Sequence, residues 1–314
     1  MAEQAQQGMV AATSDPKTHP GPRVASVETS GRSLKMSSAD SFMGWTVQPQ
    51  EVVPPIAKRL RPNVPWSETE GWSGATSDAW AFLISDTDSR TALTWGRTAA
   101  DAARHATPLV IPAILRREGI LDAHGAVVAP DAARPDDGLF ISGLSGAGKS
   151  TMLALAVLAG ARFLSDDSNA IGLVDGRLKA RARRPARVAL APPVANALLP
   201  RVQGTPFRDK VVLALDREFP QLLADVLHIR GVVFLESPGN EATPVRRLAP
   251  AESYRRLILG HPMLTLDRGA RPCFPTVRAL SSLPSWQVGR GSDLLLPGAA
   301  HVLLCRLLKE SDAG

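Results

Sequence analysis

The chain has 314 residues and carries 36 Lys and Arg against 30 Asp and Glu, a formal charge of +6. Two cysteines, Cys273 and Cys305, exclude a disulfide framework and a cysteine metal cluster, which fits a reducing cytoplasmic setting. The first residues lack a basic start and an apolar core, so no export signal is expected. No apolar run is long enough for a bilayer, so no membrane role is expected, and a single tyrosine argues against a stacking surface for nucleic acid.

Residues 1–40 are polar and aperiodic and read as a disordered tail. Residues 41–75 stay rich in proline but hold Trp45, Trp66 and Trp72, whose apolar area predicts a segment draped over a domain. Residues 79–84 and 91–95 are apolar runs separated by a polar turn. They predict two strands and, within an extension over residues 41–106, a small N-terminal β element.

Residues 99–118 carry helical signals, and the main domain is expected over residues 107–310. Residues 123–129, with His124 near their start, read as a strand that pairs with the next apolar run, 138–142. Residues 143–151 then read Gly-Leu-Ser-Gly-Ala-Gly-Lys-Ser-Thr, and residues 151–159 form a strong helix pattern stopped by Gly160. Residues 161–165 predict a strand ending at Asp166 and Asp167. Residues 170–174 and 177–182 predict a hairpin turning at Asp175 and Gly176. Lys179, Arg181 and Arg183 alternate with alanine, so on a strand they face one way. That row is either a solvated edge or a platform for an acidic substrate. Residues 231–235 predict a buried strand that ends at Glu236, in the manner of a Walker B carboxylate or of a turn cap. Helices are expected over 250–259 and 298–309.

The segment at 143–151 fits the phosphate-loop pattern at Gly143, Gly148, Lys149 and Ser150. A strand before it and a helix after it are the context the pattern needs. Backbone N–H groups from Gly143, Ser145, Gly146, Ala147, Gly148 and Thr151 are expected to face a polyphosphate, with the helix N-terminus adding partial positive charge. Lys149 is placed to reach the terminal phosphates and Ser150 to ligate Mg²⁺. Asp166 and Asp167 follow Lys149 by 17 and 18 residues. One helix, a turn and a strand bring the chain back to the same sheet edge, so the two carboxylates are expected to face the phosphates. A Mg²⁺ ion needs oxygen ligands and a hydroxyl nucleophile needs a base, and two aspartates can supply both. Spacing does not say which does which.

Together, His124 with the four residues after it, the loop at 143–150 and the segment 161–167 resemble the HPr kinase/phosphorylase C-terminal domain and related serine kinases. The stretches 229–236 and 247–252 are also similar, and the likeness spans about residues 107–305. The resemblance implies an α/β fold of phosphoenolpyruvate-carboxykinase-like P-loop type, with mixed β-sheets and flanking helices. It implies ATP and Mg²⁺, and transfer of the γ-phosphate to a serine of a peptide or protein. It implies Lys149 and Ser150 as phosphate and metal ligands, Asp166 and Asp167 as metal ligand and base, and His124 as an active-site residue. Glu236 joins the expected metal ligands, and a homo-oligomer is the expected assembly.

The chain departs from that family at Leu144 and Ala147 in the loop, and at His228, which stands where the family carries a glutamate. The HPr-binding and phosphorolysis signature is not evident, so the expected acceptor is a serine other than that of HPr. Three other readings stay open on the sequence. They are a nucleotide-binding module without catalysis, for which His228 is the hint, a small-molecule kinase, and a transporter-type ATPase, whose own signature is missing.

Overall fold

The computed structural model describes residues 26–29, 32–35, 40–42, 45–61 and 66–312, apart from Asp88, Pro185, 199–201, Gln203 and Glu241. Of the expected tail, residues 1–25 lie outside the described residues, and Ser26–Thr29 pairs with Arg32–Lys35 as an antiparallel hairpin.

The apolar run at 79–84 is a strand buried on both faces. Phe82 and Ile84 point to one side, where Trp45, Trp66 and residues Val110 and Ile114 of the helix Thr107–Arg117 meet them. Ala81 and Leu83 point to the other, against Ala57 and Leu60. The sheet around this strand has six members in the order Asp40–Phe42, Trp45–Pro49, Thr91–Gly96, Trp80–Ser85, Trp72–Thr76, Ser67–Thr69. The N-terminal element is therefore larger than two strands, and Trp45 belongs to it rather than draping over it. The added strand Ser67–Thr69 is too polar to read as one. It is set by a tight turn in which Glu70 and Gly71 both take positive φ.

The second sheet has nine strands. Its core is a parallel trio, Asp137–Gly143, Leu227–Asn240 and Ser285–Gly291. Ala126–Ala129 pairs antiparallel with Asp137–Gly143 and carries Arg162–Phe163 on its other side. The strand Leu227–Asn240 forks, since Leu227 and His228 also pair with Ala180 and Lys179 of Arg177–Ala182. That strand leads through the expected hairpin, with positive φ at Asp175 and Gly176, to Ser168–Val174 and then to Leu121–His124.

The path thus returns to its start, because Leu121–His124 and Ala126–Ala129 are consecutive across Gly125. Gly125 has no room for a side chain, as a Cβ there would overlap the Ile141 carbonyl oxygen and the Phe140 ring. The helices Pro250–Gly260 and Phe274–Ser282 pack one face through Leu257, Val277 and Leu280. The helices Lys149–Leu158 and Ala299–Glu310 pack the other through Leu153, Leu304 and Leu307. A three-stranded antiparallel sheet, Arg187–Leu190, Lys210–Ala214 and Thr205–Phe207, lies on the side of Lys149–Leu158. The molecule is thus mixed α/β with flanking helices, and among the described residues no helix is long and apolar enough to cross a membrane.

The two units meet at a buried charge cluster. Asp267 accepts from Arg116 Nε at 3.0 Å and from Arg117 Nη1 at 3.1 Å, and Arg117 also pairs with Asp86 of the N-terminal unit.

Candidate active site

The glycine loop joins the strand Asp137–Gly143 to the helix Lys149–Leu158. Gly148 is the helix N-cap at φ +104°, a conformation that excludes ordinary side chains, and a Cβ there would overlap Arg290. Lys149 is buried and turns back over the loop, donating to the Gly143 carbonyl at 2.8 Å and the Leu144 carbonyl at 3.2 Å. Burial holds its pKa below the usual lysine range.

Beyond Phe163 the chain keeps pairing with Ala126–Ala129 and then with Gly125, next to His124. Leu164 N–H donates to the Val127 carbonyl, Val127 N–H to Ser165, and Gly125 N–H to Asp167. His124 stands opposite Ser168. This register sets the two aspartates beside both the loop and His124. The Ser150 hydroxyl donates to Asp166 Oδ2 at 2.8 Å. Asp166 is 6% exposed, and its Oδ1 is buried with no hydrogen-bond partner. Burial pushes its pKa up to about 6. Asp167 is half exposed and lies 2.7 Å from His124 Nδ1, with the Arg184 guanidinium at 3.7 Å. The hydrogen bond from His124 holds the Asp167 carboxyl below its usual range. Adjacent residues thus sit in opposite environments, one dry and turned to Ser150, one wetter and turned to His124.

These side chains line a cavity of about 540 Å³ with Lys149, Arg187, Lys210 and Arg290. Four cations against Asp166 and Asp167 leave an excess of positive charge, which suits a polyphosphate with a divalent ion. Leu190, Val194, Phe207 and Val212 give it an apolar wall. Among the described residues no three His, Cys, Asp or Glu side chains form a metal-holding group. The Ser150 hydroxyl and the orphaned Asp166 oxygen do fit a Mg²⁺ ion that takes its remaining ligands from phosphate and water.

Glu236 follows Leu235, the partner of Gly143, but it does not line the cavity that Ser150 and Asp166 line. It pairs with Arg256 of the helix Pro250–Gly260 at 3.5 Å and lines a neighbouring cavity. The expected row of cations also breaks up. Arg183 turns inward and donates to Asp122 at 2.7 Å, and Arg184 goes to Asp167. His228 lies opposite Asp137, at the far end of the seven-residue strand that leads to Gly143. At about 3.3 Å per residue that is roughly 20 Å away from the loop, so the residue at 228 is outside the site.

Sequence reasoning passed over Lys210, Arg290 and Phe207, which come from distant strands and carry no local motif. It also passed over His261. This buried ring donates from Nδ1 to the Leu257 carbonyl at 2.7 Å, and its Nε2 accepts the His124 backbone N–H at 3.3 Å. Burial lowers its pKa, which keeps the acceptor nitrogen free of a proton.

No family model matches the chain, and no curated protein matches it. Among solved structures it is similar to the Hpr(Ser) kinase/phosphatase from Coxiella burnetii, at 15% identity and a TM-score of 0.33, covering 61% of this chain and 98% of that one. At that level the similarity marks a structural relationship alone.

Proposed function

We propose that this protein is a MgATP-dependent kinase that transfers the γ-phosphate to a serine hydroxyl of a peptide or protein. The observation that carries the reading is the pairing of Ser150 with Asp166 on one side and of His124 with Asp167 on the other, next to a glycine loop. It supports a division of the roles that the sequence leaves open.

The loop N–H groups and the helix N-terminus take the phosphates. Lys149 exchanges two carbonyl partners for a phosphate oxygen, which carries full charge and is the stronger partner. Ser150 and Asp166 would hold Mg²⁺, whose chemistry is to neutralise charge that builds on the phosphates. Lys210 and Arg290 add fixed charge at the same cavity. Asp167 is the base. It takes the proton of the acceptor hydroxyl as the serine oxygen bonds to the γ-phosphorus and the bond to the β–γ bridging oxygen breaks, releasing ADP. His124 Nδ1–H fixes Asp167 Oδ1 and keeps the carboxylate ionised, so that Oδ2, with the Arg184 guanidinium at 3.7 Å, takes the proton of the acceptor.

The reading of a binding module without catalysis rested on His228, and that residue sits away from the site. The test is to incubate the protein with MgATP and a library of serine peptides and to detect phosphoserine by mass spectrometry. Phosphoserine that disappears with Asp167→Asn supports the proposal. Tight MgATP binding with no transfer to any serine or to water would overturn it in favour of the binding module.

A further inference from the structure

A second cavity, of about 690 Å³, opens beside the first and shares His124 and Ser145 with it. We propose that this cavity is the acceptor subsite, and that it selects a peptide or protein segment whose serine has both an apolar residue and a carboxylate close by. The inference rests on the kinase reading above.

Three observations carry it. The first is size. The volume equals on the order of twenty waters at roughly 30 Å³ each, and a serine side chain fills little of that. The neighbours of the serine must occupy the rest. The second is apolar lining. Leu144 on the glycine loop is 78% exposed and Leu259 on the helix Pro250–Gly260 is 67% exposed, while Phe234 is buried beneath them. Two leucines from separate elements, both open to water beside one buried ring, favour an apolar group between them.

The third is charge. Glu236 is matched by Arg256 at 3.5 Å, and Arg256 also pairs with Glu252 at 3.3 Å. Arg255 lines the same cavity and has no carboxylate within ion-pair distance among the described residues. The wall therefore keeps one uncompensated cation, and a carboxylate on the acceptor complements it. The shared His124 puts the serine of such a segment at the His124–Asp167 pair.

The experiment uses the full chain with a non-hydrolysable MgATP analogue and labelled peptides that hold a single serine. Four flanks are compared: Leu with Asp, Leu with Asn, Gly with Asp, and Leu with Lys. Binding is read by fluorescence polarisation, and transfer by phosphoserine formation with MgATP. The Leu–Asp peptide should bind best. Loss of leucine should weaken it roughly tenfold or more, and loss of the acid by up to about fivefold at low salt. Arg255→Glu should reverse the ranking, so that the Lys peptide outbinds the Asp peptide, and Leu259→Asn should erase the preference for leucine. MgATP use without flank preference, an unchanged ranking in Arg255→Glu, or transfer confined to small-molecule hydroxyls would overturn the inference while MgATP binding still stood. Failure to bind MgATP at all would overturn both this inference and the kinase reading.

Discussion

Ser150 and Asp166 are joined by a 2.8 Å hydrogen bond although 16 residues separate them in the chain. One partner begins the helix of the glycine loop, and the other ends the segment that pairs with Ala126–Ala129. The bond therefore reports that helix, turn and return strand close to within one hydrogen-bond length. It also leaves the second Asp166 oxygen buried and unpartnered, a costly arrangement unless a ligand uses it.

That cost gives a pH prediction. The folded pKa of Asp166 is raised by burial, from 3.8 to about 6. A raised acid stabilises the fold in full below its unfolded pKa, and this contribution is lost as pH rises through the folded value. Between about pH 4 and pH 6 the loss from this group is on the order of 3 kcal/mol. Asp166→Asn keeps an acceptor for Ser150 and removes the buried charge. Its melting temperature in EDTA at neutral pH should rise by several degrees, and the fall over that pH window should flatten. Stabilisation by MgATP should be smaller than in the wild type. A variant that melts lower at neutral pH would show that the ionised carboxylate is a structural partner.

Lys149→Ala tests the phosphate role. The side chain rests on two loop carbonyls, so its removal leaves them exposed to solvent in the cavity and should change the melting temperature little. The shift caused by MgATP should largely vanish, since a charge-assisted contact to phosphate is lost. Calorimetry with an unchanged dissociation constant would contradict this.

Asp267 tests the join between the two units. It accepts from Arg116 and Arg117 and is fully buried. Asp267→Ala leaves two guanidinium groups without their shared carboxylate, which should cost about 3–5 kcal/mol. The effect should appear in urea unfolding as a lower midpoint. A loss below about 1 kcal/mol would mean that water replaces the carboxylate.

Much of this site was legible before the structure. The loop at 143–151, the Asp166–Asp167 pair and the turn at Asp175 and Gly176 are local signals, each fixed by residue type and spacing over one helix or one turn. The strand expected over 123–129 is broken at Gly125, so Ala126–Ala129 pairs with Asp137–Gly143 as expected while His124 sits on Leu121–His124, which pairs with Ser168–Val174. What failed was non-local. Glu236 was expected to end its strand, but the strand continues to Asn240, and Glu236 pairs with Arg256 in the cavity beside the one that Ser150 and Asp166 line. His228 aligned with a family glutamate, yet register puts it at the other end of the sheet. Lys210 and Arg290 reach the cavity only because two separate sheets converge on it. The N-terminal sheet was underread because strands such as Ser67–Thr69 are held by backbone pairing, with little apolar pattern to show.

His261 is a positioning residue by this account, as it holds the His124 backbone from beneath. His261→Leu should lower kcat while leaving the KM for MgATP near its wild-type value. His261→Gln, whose amide can both donate and accept, should recover part of the loss. Equal losses in both variants, with a lowered melting temperature in each, would mean that the ring serves only packing.

The most direct test of the central claim compares the wild type with Asp167→Asn in single-turnover transfer from MgATP to a serine peptide. Asp167 is half exposed and bound chiefly by His124, so the variant should fold and bind MgATP as the wild type does. The account predicts a rate lower by roughly 10²-fold or more, the scale of losing a general base. An Asp167→Asn protein that forms phosphoserine at the wild-type rate would contradict it.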